Sequence, residues 1–156
     1  MTTTTSVSAS AATVTARELL VRAMSADETT RTEGERGLRE MKKTFPGCGM
    51  PTLLEIGASR TESDVGVRLL AFSVLKRGCN AKSLSKLSMN DKAGFQRELL
   101  DAVMREGTSN VRNAIMDVIA RVARLTVPLG HWPELLEFLG QCASSPEPAH
   151  RVLAFK

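Results

Sequence analysis

The stretch DVGVRLLAFSVLKRG, Asp64 to Gly78, reads as one amphipathic helix. Val67, Leu70, Ala71, Val74, Leu75 and Gly78 recur at three- and four-residue steps, the spacing that lays apolar groups along a single helix face. Asp64 stands where a carboxylate caps the first turn. The phrase returns in SNVRNAIMDVIARVA from Ser109, which is placed to cap in the same way. With Arg68 laid on Arg112, Val67 matches Val111, Leu70 matches Ala114, Ala71 matches Ile115, Val74 matches Val118 and Leu75 matches Ile119. Arg151 extends the register, with Leu153 and Ala154 where Leu70 and Ala71 fell, and Arg31 begins an earlier copy with Gly34 and Leu38 beneath it. These arginines are 37, 44 and 39 residues apart.

The segments between the copies are helical too. ARELLVRAMS places Ala16, Leu19, Leu20, Ala23 and Met24 on one stripe. The stripe after it is narrow: Gly34, Gly37, Leu38, Met41 and Phe45. Glycine inside a helix costs about 1 kcal/mol relative to alanine, so two on the stripe predict a close backbone approach to a neighbouring helix. FPGCG, Phe45 to Gly49, breaks the pattern. MPTLLEIGAS is a short helix with Pro51 in its first turn, GCNAKSLSKLSMN a loop, and DKAGFQRELLDAVMREG a helix closed by Gly107. In HWPELLEFLGQCA, Pro133 starts a helix with Leu135, Leu136, Leu139, Cys142 and Ala143 inward. Two helices per roughly 40–47 residues is the period of HEAT and armadillo arrays. A helix pair cannot bury its apolar face alone, so it stacks on its neighbours and recurs. The expected fold class is all-α, a HEAT-repeat (armadillo-like) α-α superhelix. A disordered Ser/Thr-rich tail is expected over 1–15 and about four repeats over 16–156, the last truncated. Val152, Leu153 and Phe155 have no completed helix to cover them, which leads us to expect the amino-terminal piece of a longer solenoid.

Composition agrees. Hydrophobic residues make up 42% of the 156, aromatics only 4%, and Tyr is absent, which favours close-packed helices over a sheet rich in aromatic and β-branched residues. No apolar run approaches the ~20 residues that cross a bilayer. The net charge is +4. Residues 1–45, 46–106 and 107–156 hold 7, 9 and 5 basic against 6, 7 and 4 acidic groups, a surplus that reads as spread thinly over a mixed surface. No nucleic-acid partner and no membrane is expected. Cys48, Cys79 and Cys142 are far apart and form no CxxC pair, as suits reduced thiols.

Chemistry finds little purchase. His131 and His150 are the two histidines and stand in no metal-binding spacing. His131 reads as a capping or exposed imidazole, and a Cys142–His150 pair lacks an orienting third group. GCG and GERG lack the spacing of a phosphate loop, and Glu33/Glu35 and Glu134/Glu137 read as solubility. We expect no enzyme, cofactor or metal. The off-stripe face of the second helices is left: Phe72, Ser73, Lys76 and Arg77, then Asn113, Met116, Asp117, Arg121 and Arg124. Aromatic, Met and Arg residues suit a protein partner. Each recurring arginine reads as structural, tying adjacent turns by hydrogen bonds.

In this register the chain resembles the amino-terminal region of the karyopherin-β (importin-β) nuclear transport receptors. The resemblance is clearest from Arg31 to Lys76, within a region of about 28–79. The family's R..AE..L helix appears as Arg31, Gly34–Glu35 and Leu38, and its PG break as Pro46–Gly47. Its LL.I helix appears as Leu53, Leu54 and Ile56, and VR..A...LK as Val67–Arg68, Ala71 and Leu75–Lys76. Further on, Trp132, Pro133, Leu135, Phe138 and Leu139 follow the family's WP.L..FL. Gly34 for the usual Ala, Arg77–Gly78 after Lys76 and the basic balance are departures. The register is most similar to that of import receptors for ribosomal proteins and histones. The resemblance implies a receptor moving between cytoplasm and nucleus. Its first repeats would clasp the GTP-bound form of the small GTPase Ran on the concave surface, through Phe72, Lys76, Arg77, Met116, Asp117, Arg121 and Arg124 here. Cargo, such as ribosomal proteins or histones, and nucleoporins would be held by further repeats. The rival expectation is a HEAT scaffold for a cytosolic or chromosomal complex without GTPase binding.

Overall fold

A computed structural model describes residues 4–43 and 49–156, with side chains from Thr13 onward. Its helices are α1 (Thr4–Ala23), α2 (Glu28–Lys42), α3 (Gly49–Ala58), α4 (Val65–Gly78), α5 (Ala81–Ser85), α6 (Met89–Arg105), α7 (Ser109–Thr126), α8 (Pro133–Ala143) and α9 (Pro148–Leu153). A 3-10 turn over Val127–Leu129 follows α7. No strand occurs among the described residues. The helices pair as α1 with α2, α3 with α4, α6 with α7 and α8 with α9. Successive pairs stack: α1 lies on α3, α3 on α6, and α4 on α7. This is the two-layer arrangement that the repeat predicts, with Arg31, Arg68, Arg112 and Arg151 each in the first turn of a second helix.

One core runs through the stack. Val67, Ala71, Val74 and Leu75 from α4 and Val111, Ile115, Val118, Ile119 and Val122 from α7 are buried, with Leu20, Leu53, Leu54 and Leu99 from the first helices. Burial of each such side chain stabilises by roughly 1.5–3 kcal/mol. The paired glycines of α2 do what their position on the stripe predicts. A Cβ on Gly34 would lie 2.4 Å from the backbone nitrogen of Ala23, and one on Gly37 would lie 2.3 Å from Cδ2 of Leu19. Alanine at Gly34 would push α2 off the α1 backbone, whereas at Gly37 it would force the Leu19 side chain to move aside.

A regular hydrogen-bonded corner joins the two helices of each pair. The N-caps Asp27, Asp64, Thr108 and Glu147 each lie four residues before the recurring arginine. Each N-cap N–H donates to a side chain two residues earlier: Ser25 at 3.1 Å, Glu62 at 3.1 Å, Glu106 at 2.8 Å and Ser145 at 3.2 Å. The arginine then reaches back over the corner. Arg31 donates to the Ser25 carbonyl at 3.5 Å, Arg112 to that of Glu106 at 2.7 Å and Arg151 to that of Ser145 at 2.9 Å, six residues back in each case. The second corner is longer, and there Arg68 donates instead to the Gly57 carbonyl at 2.9 Å. Carbonyls at the end of a first helix lack intrahelical partners, and the guanidinium fork supplies donors in a fixed geometry.

Several expectations give way. The tail expected over 1–15 overlaps α1, which runs from Thr4, and side chains dock from Thr13, whose hydroxyl donates to Glu55 at 2.9 Å. The expected loop after Gly78 contains α5, because Asn80 and Ser83 form a reciprocal capping box over five residues. Thr108, not Ser109, is the N-cap of α7, and its side chain makes no capping bond. Leu136 is exposed, since the buried line of α8 runs through Leu135 and Cys142 and the next residue along points about 100° round the helix from it. Leu153 is buried, whereas Val152 and Phe155 are exposed. Met24, counted on the α1 stripe, is also exposed. Phe45, the Pro46–Gly47 break and Cys48 lie outside the described residues.

Candidate functional site

The second helices α2, α4 and α7 present the face on which partner-binding residues are expected. Helix periodicity decides which side chains reach it. With Val67, Ala71, Val74 and Leu75 turned inward, α4 leaves Ser73, Lys76 and Arg77 outward. α7 leaves Asn113, Asp117, Arg121 and Arg124 outward in the same way.

The structure divides the expected set. Lys76 and Asp117 face each other across the α4/α7 seam at 3.3 Å, both well exposed. Arg121 crosses the seam one turn further along and donates from Nε to the Cys79 carbonyl at 3.0 Å, closing the C-terminal end of α4. Arg124 is exposed in the last turn of α7. Arg77 turns to the other side of α4 and donates to the Ser73 hydroxyl at 2.9 Å. Phe72 and Met116 must be withdrawn from the surface. They are 1% and 7% exposed, and the Phe72 ring occupies the space that a side chain on Gly57 would fill. α4 lies against both α3 and α7, so its buried arc is wider than a single stripe and takes Phe72 in.

Beneath the seam, Arg68 forms a buried ion pair with Glu106 of the next corner. Burial alone would raise the Glu106 carboxyl. Hydrogen bonds from Thr108 and the Arg68 guanidinium outweigh it and hold the group below the usual carboxylate range. Arg60 adds a second tie, to the Arg105 carbonyl at 3.0 Å. At the second corner the Arg17 guanidinium, reaching from α1 and hydrogen-bonded to Glu62, holds that carboxyl low as well.

The charge surplus is not spread as the sequence leads one to expect. Lys42, Lys43, Arg77, Lys82 and Lys86 converge around a recess of about 350 Å³ at the ends of α2 and α4 and along α5. A second recess, of about 380 Å³, opens beside it between α2 and α4, with Leu38, Leu70 and Val74 as an apolar floor and Glu35, Arg39, Lys42 and Arg77 around it. Counting by thirds of the chain hid this cluster. The available signal was finer: no acidic residue occurs from Val65 to Asn90, a stretch carrying Arg68, Lys76, Arg77, Lys82 and Lys86.

Little here suits covalent chemistry. Burial pushes the Cys79 thiol up to about 12, with Arg121 offsetting only part of the effect, and a thiol so raised is a poor nucleophile. Cys142 is buried and its sulfur lies 4.0 Å from that of Met104, while the His150 ring is hydrogen-bonded to Ser145 at 3.1 Å. His131 is not a cap, since the N-cap of α8 is Trp132, which makes no side-chain capping bond. Among the described residues no group of three or more potential metal ligands comes together, and no helix is long and apolar enough to cross a membrane.

Comparison with known proteins converges on one kind of molecule. The family described as IPO5-like, TPR repeats, matches residues 107–156. A probable importin subunit beta-4 of Schizosaccharomyces pombe is 30% identical over 137 residues, 88% of this chain and 12% of that relative. A probable importin-5 homolog of Dictyostelium discoideum is 39% identical over 61 residues, 39% of this chain and 6% of the relative. Importin subunit beta-1 of Arabidopsis thaliana is 30% identical over 129 residues, 76% of this chain and 15% of the relative. The chain therefore spans 15% or less of the length of these curated relatives.

Proposed function

The chain is a HEAT-repeat region of the importin-β family, and from that premise we propose that it serves a nuclear import receptor by binding the GTP-bound form of Ran. The surface assigned to this is the α4/α7 seam with Lys76, Asp117, Arg121 and Arg124, and Arg77 at its margin. The observation that supports it most is the pattern of exposure: charged side chains stand outward on adjacent second helices whose apolar sides are committed to the core. Exposed charges on such a face contribute mainly to encounter rate and partner choice. Binding, not turnover, is the activity proposed. Cargo proteins and nucleoporins fall to the parts of such receptors that lie outside this chain, and the setting is shuttling between cytoplasm and nucleus.

The test is capture of Ran loaded with a nonhydrolysable GTP analogue, compared with the GDP form, on the immobilised chain. Preference for the GTP form supports the reading. Equal or absent binding overturns it and favours a scaffold without GTPase preference. Lys76→Glu combined with Arg124→Glu is expected to weaken capture about tenfold, or ~1.4 kcal/mol, with the helical circular-dichroism signal unchanged.

A further inference from the structure

The basic recess and the apolar groove beside it form one continuous feature, because Lys42 and Arg77 line both. From this we infer a docking site for an acidic peptide segment of a partner protein, with an apolar residue seated on Leu38, Leu70 and Val74 and its carboxylates running into the basic recess.

Three observations carry the inference. The first is the imbalance of charge. Lys43 is paired with Glu40 at 2.9 Å, but none of the ion pairs among the described residues involves Lys42, Lys82, Lys86 or Arg77. Glu35 lines the apolar groove, and among the described residues the basic recess is lined by no acid. The second is the cost of the convergence. A cation in the last turn of a helix is favoured by the helix dipole, which accounts for Arg39 and Lys42 on α2 and for Lys76 and Arg77 on α4 one at a time. It does not account for bringing the ends of both helices and α5 to one place. Burial, followed by the charges of Arg77 and Arg39, holds the Lys42 ammonium below its ordinary value, so the cations repel one another there. A polyanionic ligand would relieve that repulsion.

The third observation selects the class of ligand. Single-stranded nucleic acid is gripped by aromatic platforms as well as cations, and among the described residues neither recess is lined by an aromatic side chain. A free polyphosphate would leave the apolar floor unused. A peptide uses both halves, since it couples an apolar side chain to carboxylates at a fixed spacing along an extended backbone.

The site shares Arg77 with the margin of the proposed GTPase surface, but it is tested apart from that reading through Lys82 and Lys86, which line only the basic recess. It is tested with the full chain and a short fluorescein-labelled peptide in which a Leu-Phe pair precedes alternating Asp and Glu, read by fluorescence anisotropy. Saturable binding is expected at low salt and is weakened as salt screens the charges. Replacing the Leu-Phe pair by Ser-Ser is expected to weaken it about fivefold, and Lys82→Glu with Lys86→Glu about tenfold. Those two positions are exposed, and unchanged circular dichroism with unchanged Ran capture shows that the fold and the other face survive. No saturable binding of the peptide overturns the inference. So does equal affinity for the Ser-Ser peptide, for oligouridylate RNA or for inositol hexakisphosphate, which would mark a surface that attracts any polyanion.

Discussion

Arg68 and Arg31 hold the same place in their repeats, yet their surroundings give them different weight. Arg31 reaches one carbonyl at 3.5 Å, a long hydrogen bond worth little. Arg68 is buried against both the Gly57 carbonyl and the Glu106 carboxylate. Removing one partner of a buried pair strands the other charge, so Arg68→Met is expected to destabilise the chain by about 3–5 kcal/mol. Arg31→Met is expected to cost about 1 kcal/mol or less, both by urea denaturation. The Glu106 carboxyl is held below the ordinary glutamate range in the folded chain and returns to that range when the chain unfolds. The unfolded state then binds the proton more readily. Stability from this pair is complete above the unfolded value and is lost as pH falls through the folded one. Glu106→Gln should flatten the acid limb of a stability-against-pH curve; an unchanged limb would refute the assignment. At Cys79 the thiol is raised to about 12. Alkylation at pH 8, followed by peptide mapping, should leave Cys79 unmodified in the native chain and modify it in denaturant.

At the scale of the element, glycine has two opposite meanings. Gly34 lies where α2 meets the backbone of α1, whereas a Cβ on Gly94, inside α6, would meet nothing within 4 Å. Alanine improves helix propensity by about 1 kcal/mol at both. Gly94→Ala is therefore expected to stabilise by about 0.5–1 kcal/mol. Gly34→Ala is expected to destabilise by about 1–3 kcal/mol, because the close approach to Ala23 is backbone and cannot rotate aside. Denaturation midpoints of the two variants should move in opposite directions, and a shared direction would sink the argument. The glycine positions on the α2 stripe were readable in the sequence as a close approach. The α5 helix was not, since its capping box between Asn80 and Ser83 leaves no periodic apolar signal over five residues.

Across the whole molecule, the stack makes α4 the most enclosed element. It lies against α3 and α7 and also touches α1, and its core side chains Val67, Ala71 and Leu75 are fully covered. In a linear array each pair is supported by its neighbours, so local opening is hardest in the middle. Amide exchange read by mass spectrometry should be slowest in α4 and α7 and faster in α9. Faster exchange in α4 than in α9 would contradict the stacked arrangement. The helix pairs, their period, the buried stripes of α4 and α7 and the structural part of the recurring arginines were all determined by the sequence, because each depends on spacing along one chain. Which off-stripe residues reach the surface was decided by the tertiary structure. Phe72 and Met116 are taken into the core by neighbouring helices, which no single-helix pattern records. The same holds for the convergence of Lys42, Lys43, Arg77, Lys82 and Lys86, which are dispersed along the chain and meet only where the ends of α2 and α4 come together with α5. Local periodicity fixes the direction of a side chain relative to its own helix axis, whereas burial and electric field depend on what packs alongside.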